Sequence, residues 1–306
     1  MNKFFAHLVL MRPANIITAI ADILLGFAAA GAVQQIQRAS ATAYGYLEHP
    51  LAVDLGWLIA ATIGLYGGGV VFNDVLDADL DKIERPERPI PSGAATKTSA
   101  TILGALLLLG GILAAFKVSQ ISGVIAAVIA GLALLYDAWG KHQGFIGPIN
   151  MGACRGGNLL LGMSAIPASL EHYWFLALIP IVYIANITVI SRGEVHGGSR
   201  PILRFAVALY LLVFVSIVAL TFLPHFSIIT ALPFGLLFAY LIFPPLLKAL
   251  NTLQPKEIRL AVKAGVLSLI ILDATLAAGF AHWVYGLLVL LLFPLSRFLA
   301  KQFAVT

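Results

Sequence analysis

Apolar stretches about as long as a lipid bilayer is thick recur from one end of this chain to the other. They fall near residues 15–33, 51–72, 99–116, 119–137, 149–168, 172–190, 203–223, 226–247, 264–281 and 282–299. A helix of about 20 such residues crosses the roughly 30 Å of hydrocarbon in a membrane. Inside lipid, every backbone N–H and C=O must be bonded within the protein, and nothing here alternates as the strands of a membrane barrel do. The expected fold class is all-α: a multi-pass transmembrane bundle of nine helices, or ten where the nearly fused last two stretches form separate spans. With 60% hydrophobic and 11% charged residues, little remains from which to build a soluble domain, so residues 1–306 read as one integral membrane domain. No small-residue processing site follows the first apolar run, and no cleavable signal is expected. The single cysteine, Cys154, lies within a span and cannot form an internal disulfide.

Basic residues give the expected orientation. Place the N-terminus, with Lys3 and Arg12, inside. With ten spans, 16 of the 19 lysines and arginines then fall on that side, leaving Arg38 and Lys117 outside and Arg155 within a span. Such a bias marks the cytoplasmic face of a cell inner membrane or an equivalent organellar membrane. The net charge of +5 thus follows from topology and does not point to nucleic acid. Lys248, Lys256, Arg259 and Lys263 form a basic stretch suited to acidic lipid headgroups.

One polar island interrupts the apolar pattern. Residues 73–93, NDVLDADLDKIERPERPIPSG, hold six of the fourteen acidic residues. If the helix ending near Phe72 continues for two or three turns, Asn73, Asp77 and Asp81 follow at i, i+4 and i+8, and Asp74 joins their stripe. Asp79 falls roughly 200° away. Carboxylates on one face repel one another unless a cation lies among them. Two readings follow: a divalent-cation site facing a phosphate group, or a solvated loop with salt bridges to Lys82, Arg85 and Arg88. A calcium loop of the EF-hand type fails, because Lys82 stands where that loop needs glycine and Arg88 where it needs glutamate.

NDxxDxxxD followed by two arginines and RPxPSG resembles the first aspartate-rich motif of the UbiA family of intramembrane prenyltransferases. The matching positions are Asn73, Asp74, Asp77 and Asp81, then Arg85, Arg88, Pro89, Pro91, Ser92 and Gly93. The Arg12-Pro13-Ala14-Asn15 opening of the first long helix agrees more weakly. The resemblance implies a bundle around a central cavity, Mg²⁺-dependent binding of a polyprenyl diphosphate, and transfer of its prenyl group to an aromatic or other lipophilic acceptor. It makes Asn73, Asp74, Asp77 and Asp81 metal ligands, and Asn15, Arg85 and Arg88 diphosphate contacts. Tyr136 and Lys141 match a family tyrosine–lysine pair, although they stand at i, i+5 where the family commonly has i, i+4.

Further polar residues lie inside the spans. Arg155 and Asn158 share a face at i, i+3 beside Gly156 and Gly157. A charged arginine in lipid belongs in a polar cavity, so both are candidate catalytic residues alongside Asp74, Asp77 and Asp81, with Asp22 or the first motif as Arg155's partner. Asp22 itself reads equally as a functional group or as an interhelical hydrogen-bond partner. The family's second acidic motif belongs between the sixth and seventh spans, on the same face as the first. Here that stretch reads ISRGEVHGG, residues 190–198, with Glu194 its single carboxylate. Glu194 with His196 is the expected remnant of a metal site, and the guanidinium fork of Arg192 an expected phosphate contact. The altered loop also keeps open a second class of function, a non-catalytic protein that binds or carries an isoprenoid.

Overall fold

A computed structural model describes residues 2–39 and 48–303, with His196 described by its backbone only. Residues 40–47 of the expected external loop, and the side chain of His196, lie outside the described residues. Every regular element among them is helical: α1 (Lys3–Met11), α2 (Pro13–Ala29), α3 (Ala32–Ala39), α4 (Pro50–Leu76), α5 (Ala78–Glu84), α6 (Lys97–Phe116), α7 (Gln120–Ala138), α8 (Ile146–Met163), α9 (Ala168–Tyr173), α10 (Leu178–Ser191), α11 (Gly193–His196), α12 (Arg200–Ala219), α13 (Ile228–Thr252), α14 (Pro255–Phe280), α15 (Trp283–Leu290) and α16 (Leu292–Gln302). Among the described residues, eight helical segments are long and apolar enough to cross a membrane, and a ninth when α1 and α2, bent by 41° at their junction, count as one. The protein is a multi-pass helical membrane bundle.

Two boundaries differ from the sequence reading. The penultimate span starts at Pro255, well before residue 264, so Lys256, Arg259 and Lys263 lie on α14 and not in a loop. Helix α8 is 18 residues, about 27 Å long, yet less apolar than its neighbours because it carries Asn150, Arg155 and Asn158. It stands inside the bundle against α2, α7 and α10, where neighbouring helices replace lipid. The last two apolar stretches are separate, with Ala281 and His282 breaking the helix and His282 accepting from the Tyr285 amide at 3.3 Å.

The apolar packing forms two bodies. One joins α2, α8, α10 and α12 to α14; the other joins α4, α6 and α7, with Ile23 and Leu161 touching it from α2 and α8. Helices α2 and α8 run between the two and cross with almost no separation. A Cβ on Gly26 would strike the backbone at Leu159 and Met163, and one on Gly162 the backbone of Ile23. Only glycine permits this approach. A smaller cluster of Ala6, Leu10, Val71, Val75, Ala95 and Ala100 clamps α1 and the 90–100 segment to the end of α4. A cavity of about 350 Å³ lies on the seam, with Leu65 and Ile129 from one body facing Ile184, Ile187 and Leu269 from the other.

Candidate active site

The mouth of the cavity is built on the end of α4. That helix stops at Leu76 and α5 resumes at Ala78, with Asp77 between them at φ −85°, ψ 0°. The i to i+4 hydrogen bonds nevertheless continue: the amides of Asp77, Asp81 and Arg85 donate to the carbonyls of Asn73, Asp77 and Asp81 at 3.0, 2.8 and 2.9 Å. The expected stripe therefore survives the break. Asp74 and Asp81 are buried at 5% and 4% exposure. The side chain of Asp79 is 77% exposed, bonded to Lys82 at 2.7 Å with Lys97 beyond, and these cations hold its carboxyl below the usual range.

Each carboxylate of the stripe meets a cation drawn from elsewhere. Arg12 Nη2 donates to Asp74 Oδ1 at 2.6 Å, and Arg88 Nη1 bridges Asp74 Oδ1 at 3.3 Å and Asp81 Oδ2 at 2.7 Å. Lys141 Nζ donates to Asp77 Oδ1. The backbone explains both reaches. Arg12 stands at φ 51°, a left-handed conformation that ends α1 and lets Pro13 open α2 at its first position. The i, i+5 spacing of Tyr136 and Lys141 works because α7 ends at Ala138 and a 3₁₀ turn, Gly140–His142, re-aims Lys141. Tyr136 and Asn15 line the cavity as well.

One carboxylate at the mouth is absent from the sequence-derived set. Asp137, on the last turn of α7, lines the cavity at 6% exposure and accepts from Asn73 Nδ2 at 2.9 Å. An acid inside an apolar helix was the available signal, the same one that singles out Asp22. What hides it in sequence is its position at the end of a span, where charges are ordinary.

Deeper in, Arg155 lies 3.0 Å from Asp22 through Nε and donates to the Thr18 carbonyl at 3.0 Å, with its guanidinium carbon 6.0 Å from the centre of the Tyr66 ring. Asn158 donates to Asp22 and to the Ala19 carbonyl at 3.0 and 2.7 Å and accepts from Thr62 at 2.7 Å. Arg155 and Asn158 both line the cavity while Asp22 backs them, so Asp22 is Arg155's acid and the first motif is not. Asp273, from α14, is buried next to Asp22 and completes the buried set.

The loop after α10 sits at the same face, yet its side chains turn elsewhere. Arg192 is exposed and donates to the Gln143 carbonyl at 3.2 Å. Glu194 lies beside Arg259 and Arg85, and burial pushes its carboxyl above the usual range despite those cations. Neither lines the cavity, and Arg85 is exposed. Of the sequence-derived residues, Asn15, Asn73, Tyr136, Arg155 and Asn158 line the cavity, while Asp74, Asp77, Asp81, Arg88 and Lys141 form an ion-paired cluster beside it, joined to the lining through Arg12 and Asp74. The structure leaves Arg85, Arg192 and Glu194 at the rim, because Glu194's nearest cations are on α14 and on the segment after α5.

The donor set suits a hard divalent cation. Asp74 and Asp77 use Oδ1 and Asp81 uses Oδ2 for their ion pairs, and the second oxygen of each is unbonded among the described residues. No three acidic, histidine or cysteine side chains among the described residues form an all-protein cage.

Bundle, seam cavity and the cluster of paired acids and bases beside it put a polar space with apolar walls inside a membrane bundle. The chain belongs to the UbiA prenyltransferase family, whose pattern matches residues 38–261. It is 31% identical over 202 residues to the digeranylgeranylglyceryl phosphate synthase of Methanothrix thermoacetophila, covering 64% of this chain and 69% of that protein. Against the enzyme of the same name from Ignicoccus hospitalis it is 29% identical over 197 residues, covering 64% of this chain and 59% of the relative. A solved digeranylgeranylglyceryl phosphate synthase superposes with a TM-score of 0.67 at 21% identity, over 92% of this chain and 99% of the other. The apo structure of a UbiA homolog from Aeropyrum pernix K1 gives 0.64 at 16% identity, over 84% and 96%.

Proposed function

We propose that the protein transfers a prenyl group from a polyprenyl diphosphate to a lipophilic acceptor within the membrane. The observation that carries this reading is the polar cluster beside the cavity: Asp74, Asp77 and Asp81 are each neutralised on one oxygen and open on the other, and Arg12, the partner of Asp74, lines a cavity whose apolar walls include Leu65, Ile129, Ile184 and Leu269. Arg12, Arg88 and Lys141 would place fixed positive charge where the departing diphosphate gathers negative charge. Mg²⁺, when bound through Asn73, Asp74, Asp77 or Asp81, would neutralise that leaving group. The allylic C–O bond breaks, the diphosphate leaves with the electron pair, and the acceptor's electron pair closes the new bond to carbon as the acceptor loses a proton. Apolar walls exclude the water that would otherwise trap the carbocation.

The name the relatives carry supplies the first acceptor to test. Their product carries two geranylgeranyl groups on glyceryl phosphate, so a hydroxyl of a singly prenylated glyceryl phosphate is the first acceptor to test, ahead of an aromatic ring. Purified protein in lipid nanodiscs, supplied with geranylgeranyl diphosphate and Mg²⁺, should form the doubly prenylated lipid, measured by mass spectrometry. Product from 4-hydroxybenzoate instead would move the acceptor class to aromatics. Binding of the diphosphate without release of inorganic diphosphate from any acceptor would replace the enzyme by an isoprenoid carrier.

A further inference from the structure

We propose that Asp137 completes the divalent-cation site, acting with Asp77 and Asn73 across the cavity mouth, where the loop after α10 supplies no carboxylate. The inference rests on the diphosphate reading above and adds a residue to it.

Four carboxylates lie at this end of the bundle: Asp137 lines the cavity, and Asp74, Asp77 and Asp81 stand beside it on the end of α4 and on α5. Three are ion-paired, with Arg12 and Arg88, with Lys141, and with Arg88. Asp137 is the exception: among the described residues its carboxylate meets no cation within 4 Å, and only the neutral amide of Asn73 bonds it. A buried carboxylate left without a countercharge is costly, so a cation arriving with a ligand has the most to gain beside this residue.

Direction supports the same assignment. Asp137 comes from α7 and Asp77 from the α4–α5 junction, so the two acids approach from different walls, and Lys141, Asp77 and Arg12 are the charges nearest Asp137. Its neighbours are Asn73, Asp77, Lys141 and Arg12, at the α4–α5 end of the cavity. Asn73 adds a further donor. A carboxylate can only accept, so Asn73 must turn its NH₂ to Asp137, and this leaves its Oδ1 as a hard oxygen ligand. Glu194, the carboxylate the sequence offers for this purpose, has Arg259 and Arg85 as neighbouring charges and does not line the cavity.

The test uses the full chain in nanodiscs, a non-hydrolysable farnesyl S-thiolodiphosphate, and calorimetric titration of Mg²⁺ in its presence. Asp137→Asn should raise the apparent Mg²⁺ Kd about tenfold or more, while metal-free binding of the analogue and the thermal unfolding midpoint stay near wild type. Glu194→Gln should leave the Mg²⁺ Kd unchanged. Asp137→Glu keeps the charge and moves it by one methylene, so it should retain metal and alter the electron paramagnetic resonance line shape of bound Mn²⁺. Three results would overturn the assignment: unchanged Mg²⁺ affinity in Asp137→Asn, loss of affinity in Glu194→Gln alone, or normal metal binding with turnover alone lost, which would make Asp137 a base. Should Asp137→Asn fail to fold, the Mn²⁺ spectrum of Asp137→Glu decides, and a wild-type spectrum counts against the proposal. Failure of the wild type itself to bind the analogue with Mg²⁺ would instead sink the diphosphate reading.

Discussion

Asp77, Asp79 and Asp81 lie within five residues of one another and have three different environments. Asp81 is buried on Arg88, Asp77 sits at the rim on Lys141, and Asp79 stands in solvent with Lys82. Helical spacing alone separates them, which is why this part of the site was legible in sequence. Asp77→Asn and Asp81→Asn should each weaken Mg²⁺-dependent binding of a prenyl diphosphate analogue by about tenfold or more, while Asp79→Asn stays within twofold of wild type. Equal sensitivity at Asp79, read by the same calorimetric titration, would contradict the geometry. The fold should tolerate Asp81→Asn, since Arg88 keeps Asp74 as a partner at 3.3 Å. What the sequence does not disclose is pairing across distance. Arg12 meets Asp74 and Asn73 meets Asp137 over separations of 62 and 64 residues, which no local period encodes. Glu194 shows the reverse: it stands in the expected loop, yet it does not line the cavity, and Arg259 of α14 bonds its backbone carbonyl.

At the scale of elements, the site depends on how closely α2 and α8 cross. Arg155 and Asn158 reach Thr18, Ala19 and Asp22 because Gly26 and Gly162 let the two backbones touch. The existence and type of nearly every span were legible from apolar length, but not which helices would be central. Helix α8 was visible as the span carrying Arg155, and α14 as a merely apolar segment, although it is the most buried of the spanning helices. A side chain at Gly162 has only the Ile23 backbone to displace, so Gly162→Val should destabilise the protein by about 1–3 kcal/mol or more through overpacking. Gly131, by contrast, faces open space within 4 Å, and Gly131→Ala should be neutral or slightly stabilising. Thermal unfolding in detergent compares the two. If Gly162→Val unfolds at the wild-type midpoint, the helices can separate without loss and the crossing does not hold the cavity floor.

At the scale of the whole molecule, the chain brings its functional loops to one face. Glu194 lies beside Arg85, Arg192 bonds Gln143, and the Gly198 amide donates to the Leu253 carbonyl at 3.3 Å, so the segments after α5, α7, α10 and α13 all meet there. The sequence anticipated this convergence for the first and third of them from the even number of spans between. Which side of the membrane that face occupies is a separate matter, and the basic-residue bias answers it as a prediction: the face is cytoplasmic. Single cysteines at Glu84 and Val195, both exposed, in a Cys154→Ser background provide the test. Both should resist a membrane-impermeant thiol reagent in intact cells and react after lysis. A third cysteine at Phe222, exposed at the opposite end of α12, should behave in the reverse sense, because one crossing separates it from Val195. Labelling of Glu84 and Val195 from outside, with Phe222 protected, would invert the orientation while keeping the fold. Opposite behaviour of Glu84 and Val195 would break the shared face itself, and the cavity mouth built on it.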